Sequence, residues 1–278
     1  MKPRIPTSTD ALKGWTLVCL RERAQQPAAA RLIAKFGAQA LALPGLKLER
    51  LPAQDRLRAA LTARAVAPAA AVASAAAVAP AAVFVSPAAV RFALALCPAL
   101  PKQLFYAAAV GAGTARALQR AGFARVLQPA AGLPQTSEGL LAHPQLQQGN
   151  GQTLLLIGAP GGRGLLSPAL AARGFRLCRV DVYRRARVRL DTRHFHALEA
   201  ASAPLGLLMT SAEAFDAVLD QVPPALFAKL LSARLVASSE RLIEHAHERG
   251  FGDGVLALGP ALAQLVEALA VACAASRC

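Results

Sequence analysis

Acidic and aromatic residues are both scarce in this sequence of 278 residues. Lys and Arg outnumber Asp and Glu by 31 to 16, which gives a formal net charge of +15. That charge favours a polyanionic partner. The alternative is that the basic residues are only solvated surface residues. Aromatic residues make up only 5%, too few for a platform that stacks single strands. No helix-turn-helix, zinc-finger or RNA-binding signature is present, so we predict no nucleic-acid partner and favour a small polyanion.

Cysteine pairs, a signal peptide and long apolar runs are also missing. The five cysteines form no CxxC pair and have no histidine at metal-ligand spacing, so we expect core thiols in a reducing compartment and no metal. Residues 1–15 lack the apolar core of a signal peptide. The alanine-rich stretch 65–82 is interrupted by Pro68 and Pro80 and is interpreted as a connector, not a membrane segment. We expect a cytoplasmic protein without membrane association.

Motifs of side-chain catalysis are absent as well. No serine lies in GxSxG, no carboxylate pair stands out, and the five histidines are interpreted as surface residues. The glycine-rich turn 158–163 matches neither GxGxxG nor GxxxxGK[ST], so no nucleotide and no other cofactor is predicted. Any chemistry must therefore need little from side chains.

One βαβ unit occurs twice in the sequence. Each copy opens with a short apolar run, at 16–20 and at 153–157, followed by a helical segment that ends at Gly37 or Gly174. A second strand follows each glycine. Two further segments recur, since 83–90 resembles 207–214 and 109–123 resembles 235–251. This repetition predicts two similar α/β units.

The order of the repeated segments predicts a chain that crosses twice between two lobes. We assign residues 1–46 and 187–278 to a discontinuous first lobe and 51–182 to the second. The crossings, 47–50 and 183–186, alternate apolar and charged residues, which is typical of paired, exposed linker strands. The predicted fold class is α/β, with two flavodoxin-like lobes, each a parallel sheet flanked by helices, and a cleft between them.

Hydroxyl residues follow several predicted strands. Ser86, Thr114 and Ser211 each stand after a strand and are expected to precede a helix. Ligands of open α/β sheets bind at that end of the strands, and N–H groups at a helix start hold carboxylates. Helix N-capping explains each hydroxyl equally well. Arg163, in the glycine-rich turn, either reaches an anion there or points to solvent.

In five segments the sequence resembles the uroporphyrinogen-III synthase family. The segments are 83–90, 109–118, 134–141 with its Ser-Glu-Gly-Leu-Leu, 161–163 and 182–185, and their shared order carries the resemblance from Trp15 to Leu269. Members of that family have two similar α/β lobes joined by a two-stranded linker, which agrees with the repeat.

The resemblance implies a cyclising hydro-lyase of heme and other tetrapyrrole biosynthesis. Its substrate would be hydroxymethylbilane, a linear tetrapyrrole with eight carboxylates, which loses water and closes to uroporphyrinogen III with inversion of its last ring through a spiro intermediate. Tyr183 matches the family's tyrosine at the lobe junction and is the implied general acid, although hinge packing explains it as well. The same matching implies carboxylate binding by several side chains: Arg21, Ser86, Thr114, Arg163, Ser211 and Ser239.

Two other functions remain open at this stage. A non-catalytic, two-lobed cytoplasmic protein that closes on an anion has the same architecture, and a basic nucleic-acid-associated protein has the same charge. Product analysis with the bilane distinguishes the first from an enzyme. Salt-dependent retention on DNA at physiological ionic strength would support the second, and failure to bind would remove it. The resemblance implies no cofactor, and we expect a monomer.

Overall fold

The computed structural model describes residues 10–62, 80–161 and 164–275. Arg163 and residues 65–79 of the alanine-rich stretch lie outside these ranges. The chain divides into two compact units, unit 1 with Met1–Leu48 and Ala186–Cys278, and unit 2 with Glu49–Arg185. Within the described ranges, no helix combines the length and apolarity needed to cross a membrane.

Strands and helices alternate along most of the described chain. The strands are β1 (Thr16–Cys19), β2 (Gln39–Ala42), β3 (Leu46–Arg50), β4 (Ala81–Phe84), β5 (Ala107–Ala109), β6 (Val126–Leu127), β7 (Thr153–Gly158), β8 (Arg176–Asp181), β9 (Tyr183–Arg187), β10 (Leu205–Met209), β11 (Arg234–Ala237) and β12 (Gly254–Leu256). The helices are α1 (Gln26–Ala34), α2 (Gln54–Thr62), α3 (Pro87–Leu96), α4 (Leu100–Gln103), α5 (Ala112–Arg120), α6 (Ser137–Leu141), α7 (Leu166–Ala172), α8 (Thr192–Ala200), α9 (Ala212–Leu219), α10 (Pro224–Leu231), α11 (Glu240–Glu248) and α12 (Leu262–Ala275).

Unit 1 is built on a five-stranded parallel sheet with the order β12-β11-β10-β1-β2. β1 lies between its neighbours with Thr16 opposite Leu205 on one side and Gln39 on the other. β1 and β10 are buried throughout, because one apolar cluster covers each face of the sheet, around Phe215 and around Leu265. Burial on both faces explains why these strands are continuous apolar runs in the sequence.

Unit 2 is built on a second parallel sheet with the order β6-β5-β4-β7-β8. If the five strands of unit 1 are numbered 1 to 5 in chain order, their order across the sheet, read from β2, is the flavodoxin-like order 2-1-3-4-5. Unit 2 has the same order when counting starts at β7, so the two units are related by circular permutation. The helices α3, α5 and α7 connect strands of unit 2 and pack against the sheet or against each other. The predicted fold class, parallel sheets flanked by helices, is confirmed.

The repeated βαβ segments occupy equivalent places in the two sheets. β1 and β2 are adjacent in unit 1, and β7 and β8 are adjacent in unit 2. Gly37 and Gly174 end the intervening helical segments with φ of 78° and 81°, a left-handed conformation that glycine adopts readily. The equivalence explains the matched spacing of the two copies in the sequence.

The two crossings of the chain pair as a two-stranded sheet of β3 and β9. Hydrogen bonds at its two ends, from Leu51 N–H to Val182 O and from Val188 N–H to Gly45 O, are each 3.0 Å. Residue 51 therefore stands opposite 182, and 45 opposite 188, which makes the pair antiparallel. One sequence boundary differs, because β4 begins at Ala81 and so includes the last two residues of the predicted alanine-rich connector.

Candidate active site

A cavity of about 310 Å³ lies in unit 2, where β4, β5 and β7 end. Parallel strands bring their carboxyl ends to one edge of a sheet, and ligands of open α/β sheets bind there. Its polar lining includes the side chains of Ser86, Ser137, Arg179, Asp181, Tyr183 and Arg185. The cavity thus combines hydroxyl groups with arginines at the edge where the sequence predicted a site.

Ser86 and Tyr183 meet in this cavity, with 3.0 Å between Oγ and the phenolic oxygen. Ser86 caps α3, because its Oγ accepts a hydrogen bond of 3.1 Å from the Ala89 N–H. Tyr183 is 4% exposed, and its ring stacks on Phe92 with 5.4 Å between ring centroids. The serine is therefore both a helix cap and a partner of the tyrosine, and packing fixes the tyrosine ring while its hydroxyl reaches the cavity.

Arginine and aspartate side chains line the same cavity from the end of β8. Arg179 Nε lies 3.0 Å from Asp181 Oδ1, and its Nη2 donates to the Ala159 carbonyl over 2.9 Å. Arg185 is exposed and has no ion-pair partner in the part of the chain that the structure describes. Arg179 and Asp181 were not predicted from the sequence, although their spacing of two residues in β8 is the period that lines one side of a strand.

Thr114 does not fulfil the expectation that it precedes a helix. α5 starts two residues earlier, at Ala112, with Gly111 as its N-cap. Thr114 is thus the third residue of the helix, is only 4% exposed, and is not among the residues that line the cavity. Gly111 has no side chain that marks the helix start in the sequence. The hydroxyl of Thr114 was therefore wrongly interpreted as the residue that precedes the helix.

Three other predicted site residues follow adjacent strands of unit 1. Arg21 follows β1, Ser211 follows β10 and Ser239 follows β11. Ser211 caps α9 by accepting from the Ala214 N–H at 3.3 Å, whereas Ser239 occupies the N-cap of α11 without a side-chain bond. Arg21 donates to the Pro260 carbonyl at 2.6 Å. The structure thus places these residues at one sheet edge, but part of the hydrogen-bonding capacity of Arg21 is already used.

Two histidines have carboxylate partners that the sequence did not indicate. His245 Nε2 lies 2.9 Å from Asp216 Oδ2, and His194 Nδ1 lies 2.6 Å from Asp191 Oδ1 within the capping box of α8. Both histidines are half-buried, so the expectation that they are plain surface residues is wrong for them. No group of three or more His, Cys, Asp or Glu side chains that could hold a metal occurs in the ranges that the structure describes.

Two circularly permuted α/β units, joined by paired strands and carrying a cavity with hydroxyl and arginine side chains, define a duplicated flavodoxin-like protein. The chain belongs to the uroporphyrinogen-III synthase family, because the family model described as Uroporphyrinogen-III synthase HemD matches residues 27–267. The resemblance stated from the sequence is therefore confirmed.

Individual relatives support the assignment to this family. The chain is 31% identical over 146 residues to the uroporphyrinogen-III synthase of Escherichia coli K12, which covers 52% of this chain and 58% of that protein. The chain therefore spans little more than half the length of this relative. Its fold is similar to that of the synthase from Helicobacter pylori, with a TM-score of 0.57 and 16% identity over 95% of this chain and all of the other. A mutant synthase from Thermus thermophilus gives a TM-score of 0.54 and 21% identity over 95% and 98%.

Proposed function

We propose that the protein is a uroporphyrinogen-III synthase, which cyclises hydroxymethylbilane with inversion of the terminal pyrrole ring and loss of water. The observation that carries the proposal is the contact between Ser86 and Tyr183 in a cavity at the carboxyl ends of the unit 2 strands. The chain belongs to a family of that name, and the cavity offers a proton donor beside groups suited to carboxylates.

The first chemical step needs an acid at the hydroxymethyl group. The C–O bond breaks with its electron pair going to oxygen, the oxygen takes the phenolic proton of Tyr183, and water leaves. The pyrrole nitrogen supplies electrons to form the C=N bond of an azafulvene, which the substituted α-carbon of the terminal ring attacks to form a spiro intermediate. The bond from that carbon to its original methylene bridge then breaks, which leaves a second azafulvene on the neighbouring ring. The unsubstituted α-carbon of the inverted terminal ring attacks this azafulvene and closes the macrocycle. The proton lost when the ring regains aromaticity returns to the tyrosine oxygen, so the enzyme is unchanged overall.

Ser86 is suited to support that proton transfer. Its Oγ accepts from the Ala89 N–H, so its own hydrogen is free to point at the Tyr183 oxygen 3.0 Å away. Negative charge on that oxygen is stabilised by the donated hydrogen bond and by the positive end of α3, which has ten residues.

Carboxylate groups of the bilane are proposed to bind around this pair. Arg185 is exposed at the cavity and Ser137 lies in the first turn of α6, where N–H groups have no partner within the helix. Fixing several carboxylates holds the reacting ends of a flexible chain in one arrangement, and such orientation is the main catalytic contribution required. The assignment of Arg21, Arg163, Ser211 and Ser239 to further carboxylates stays a prediction.

The proposal includes a cytoplasmic, monomeric protein. The cytoplasmic location is supported by the thiol of Cys19, which is buried and forms no disulfide, because reduced cysteines are typical of a reducing compartment.

The test of the activity is the isomer composition of the product. Freshly prepared hydroxymethylbilane is added to the folded protein, the products are oxidised, and the uroporphyrin isomers are separated by chromatography. Bilane without enzyme closes without inversion to isomer I, so we expect isomer III to dominate. Isomer I alone from folded protein would contradict a synthase. Calorimetric titration with a non-cyclising tetrapyrrole would then test the anion-binding alternative.

A further inference from the structure

A second cavity of about 420 Å³ lies in unit 1 beside β2. It is separate from the cavity of unit 2 and has no part in the proposed reaction. We call it the β2 groove and define it by Arg23, Ala40, Ala42, Pro44, Arg189 and Arg193. Its lining comes from β2, from the turn after β1, and from the segment that leads into α8.

The β2 groove contains an open backbone edge. β2 is the last strand of its sheet, and its bonds to β1 include Gln39 N–H to Trp15 O at 2.9 Å and Leu43 N–H to Cys19 O at 3.1 Å. Since alternate residues of a strand face the same neighbour, Ala40 and Ala42 direct their N–H and C=O groups away from β1. Both alanines are exposed, so these donors and acceptors are open to another chain.

Three arginines surround this edge, and none of them forms a salt bridge within the described ranges. Arg23, Arg189 and Arg193 are exposed. The carboxylate of the groove, Asp191, is engaged by His194 at 2.6 Å. Three cations around one groove repel each other and attract a ligand with several negative charges.

We propose that the β2 groove binds an extended acidic segment of a partner protein, which adds to the sheet as a strand next to β2. A peptide backbone satisfies both the N–H and the C=O groups of Ala40 and Ala42. Every second side chain of that strand lies on the same face, where glutamates or aspartates meet the arginines. A small anion leaves the outward carbonyls unpaired, and the groove has no Phe, Tyr or Trp side chain on which a nucleic-acid base stacks.

The test uses the full-length protein and a fluorescent eight-residue peptide of alternating Glu and Thr. Binding is followed by fluorescence anisotropy, and backbone pairing by hydrogen–deuterium exchange. We expect slower exchange of the Ala40 and Ala42 amides when the peptide is bound. The double variant Arg189→Gln/Arg193→Gln should bind about tenfold more weakly, whereas Arg241→Gln, which removes an exposed arginine of α11 outside the groove, should change affinity less than twofold.

Two comparisons can overturn the proposal. The same peptide with N-methyl groups on every backbone nitrogen keeps its charges but has no N–H group to donate along either edge, so it should not bind. Equal binding of the methylated peptide, or equal competition by citrate or by single-stranded DNA, would show a general anion site. Unchanged exchange at Ala40 and Ala42 would also refute strand addition. None of these results affects the proposed synthase activity.

Discussion

Tyr183 and Tyr106 are the two tyrosines of the chain, and their surroundings differ. The Tyr183 hydroxyl faces the unit 2 cavity beside Ser86. Tyr106 is buried, which raises its pKa to about 12, and its hydroxyl contacts Gln152 at 3.4 Å. The pair thus offers a matched test of the proposed acid, because both changes to phenylalanine remove one oxygen.

We predict that Tyr183→Phe lowers turnover roughly tenfold or more, because a positioned acid contributes at least that much. Tyr106→Phe should leave turnover near the wild-type value. Initial rates of bilane consumption, with folding checked by circular dichroism, provide the measurement. Equal rates for Tyr183→Phe and the wild type would remove the acid role and leave the tyrosine as a packing residue against Phe92.

Ser86 both caps α3 and contacts Tyr183. A comparison with Asp191, which caps α8 but does not contact Tyr183, distinguishes these two roles. Ser86→Ala and Asp191→Ala each remove an N-cap, of α3 and of α8. Ser86→Ala should lower the free energy of unfolding by about 1 kcal/mol, and Asp191→Ala should lower it as well. Only Ser86→Ala also removes the partner of Tyr183, so it alone should reduce turnover. Urea unfolding and bilane turnover are measured on both variants. An equal loss of turnover in the two would mean that stability alone is responsible.

At the residue scale, the sequence did not show which side chains contact one another. Ser86 and Tyr183 were both predicted, but they are 97 positions apart in the chain, and no periodicity relates residues in different elements. The ion pairs of His245 with Asp216 and of Arg179 with Asp181 were missed for related reasons. The first joins two helices, and the second depends on which side of β8 faces the cavity.

At the scale of elements, an ion-pair network attaches the end of β9 to unit 1. Asp220, directly after α9, accepts from Arg187 of β9 at 2.9 Å and from Arg249 at 3.0 Å. Gln221 adds bonds to the Val188 carbonyl and the Leu190 N–H, both at 2.9 Å. These contacts fix the path of the chain where it leaves the linker.

Asp220→Asn should therefore lower stability in a pH-dependent way. Hydrogen bonds from Arg249 and then Arg187 hold the pKa of Asp220 below its usual value. A depressed folded-state pKa stabilises the fold at pH values above the unfolded pKa of about 4, and this contribution is lost as pH falls through the folded pKa. The difference in Tm between wild type and variant should be largest at neutral pH and shrink below about pH 4. A constant difference across a pH series would refute the linkage.

Gly45 fixes the other crossing of the chain by a close backbone approach. A Cβ at this position would collide with the carbonyl oxygen of Ala214 in α9. Gly45→Ala should therefore lower the free energy of unfolding by about 2 kcal/mol, because the helix start has to move. Gly252→Ala is the control, since a Cβ there meets nothing within 4 Å. Denaturant midpoints compare the two, and similar midpoints would contradict the predicted collision.

Element types were more predictable than element starts. The buried strands β1, β7 and β10 appear as apolar runs, and left-handed glycines follow the helical segments of both βαβ copies. The start of β4 inside the alanine-rich stretch was not predicted, because alanine carries no clear preference for a strand there. α5 begins at a glycine cap, which gives no side-chain signal. Both misplaced starts thus have a local physical cause.

At the scale of the whole molecule, the charge of +15 predicts weak, salt-sensitive attraction to DNA. Apart from the clusters around Arg21 and in 184–193, the arginines are dispersed along the sequence, so few phosphates are neutralised at once. Retention on duplex DNA should be measurable at 20 mM salt and lost by about 150 mM, since affinity falls steeply with salt. Fluorescence anisotropy over a salt series gives the slope. Tight binding at 150 mM would favour the nucleic-acid-associated alternative.

The permuted strand order also has a consequence for synthesis on the ribosome. Unit 2 is one uninterrupted stretch of chain, so all its strands are available soon after β8 is made. β1 and β2 instead wait for β10, roughly 160 residues later, or about ten to thirty seconds at ordinary translation rates. During that time β1 and β2 lack β10, the central strand of their sheet. β1 and β2 are translated before the other strands of their sheet but are among the last to be protected, so chaperones and proteases have most time to act on them.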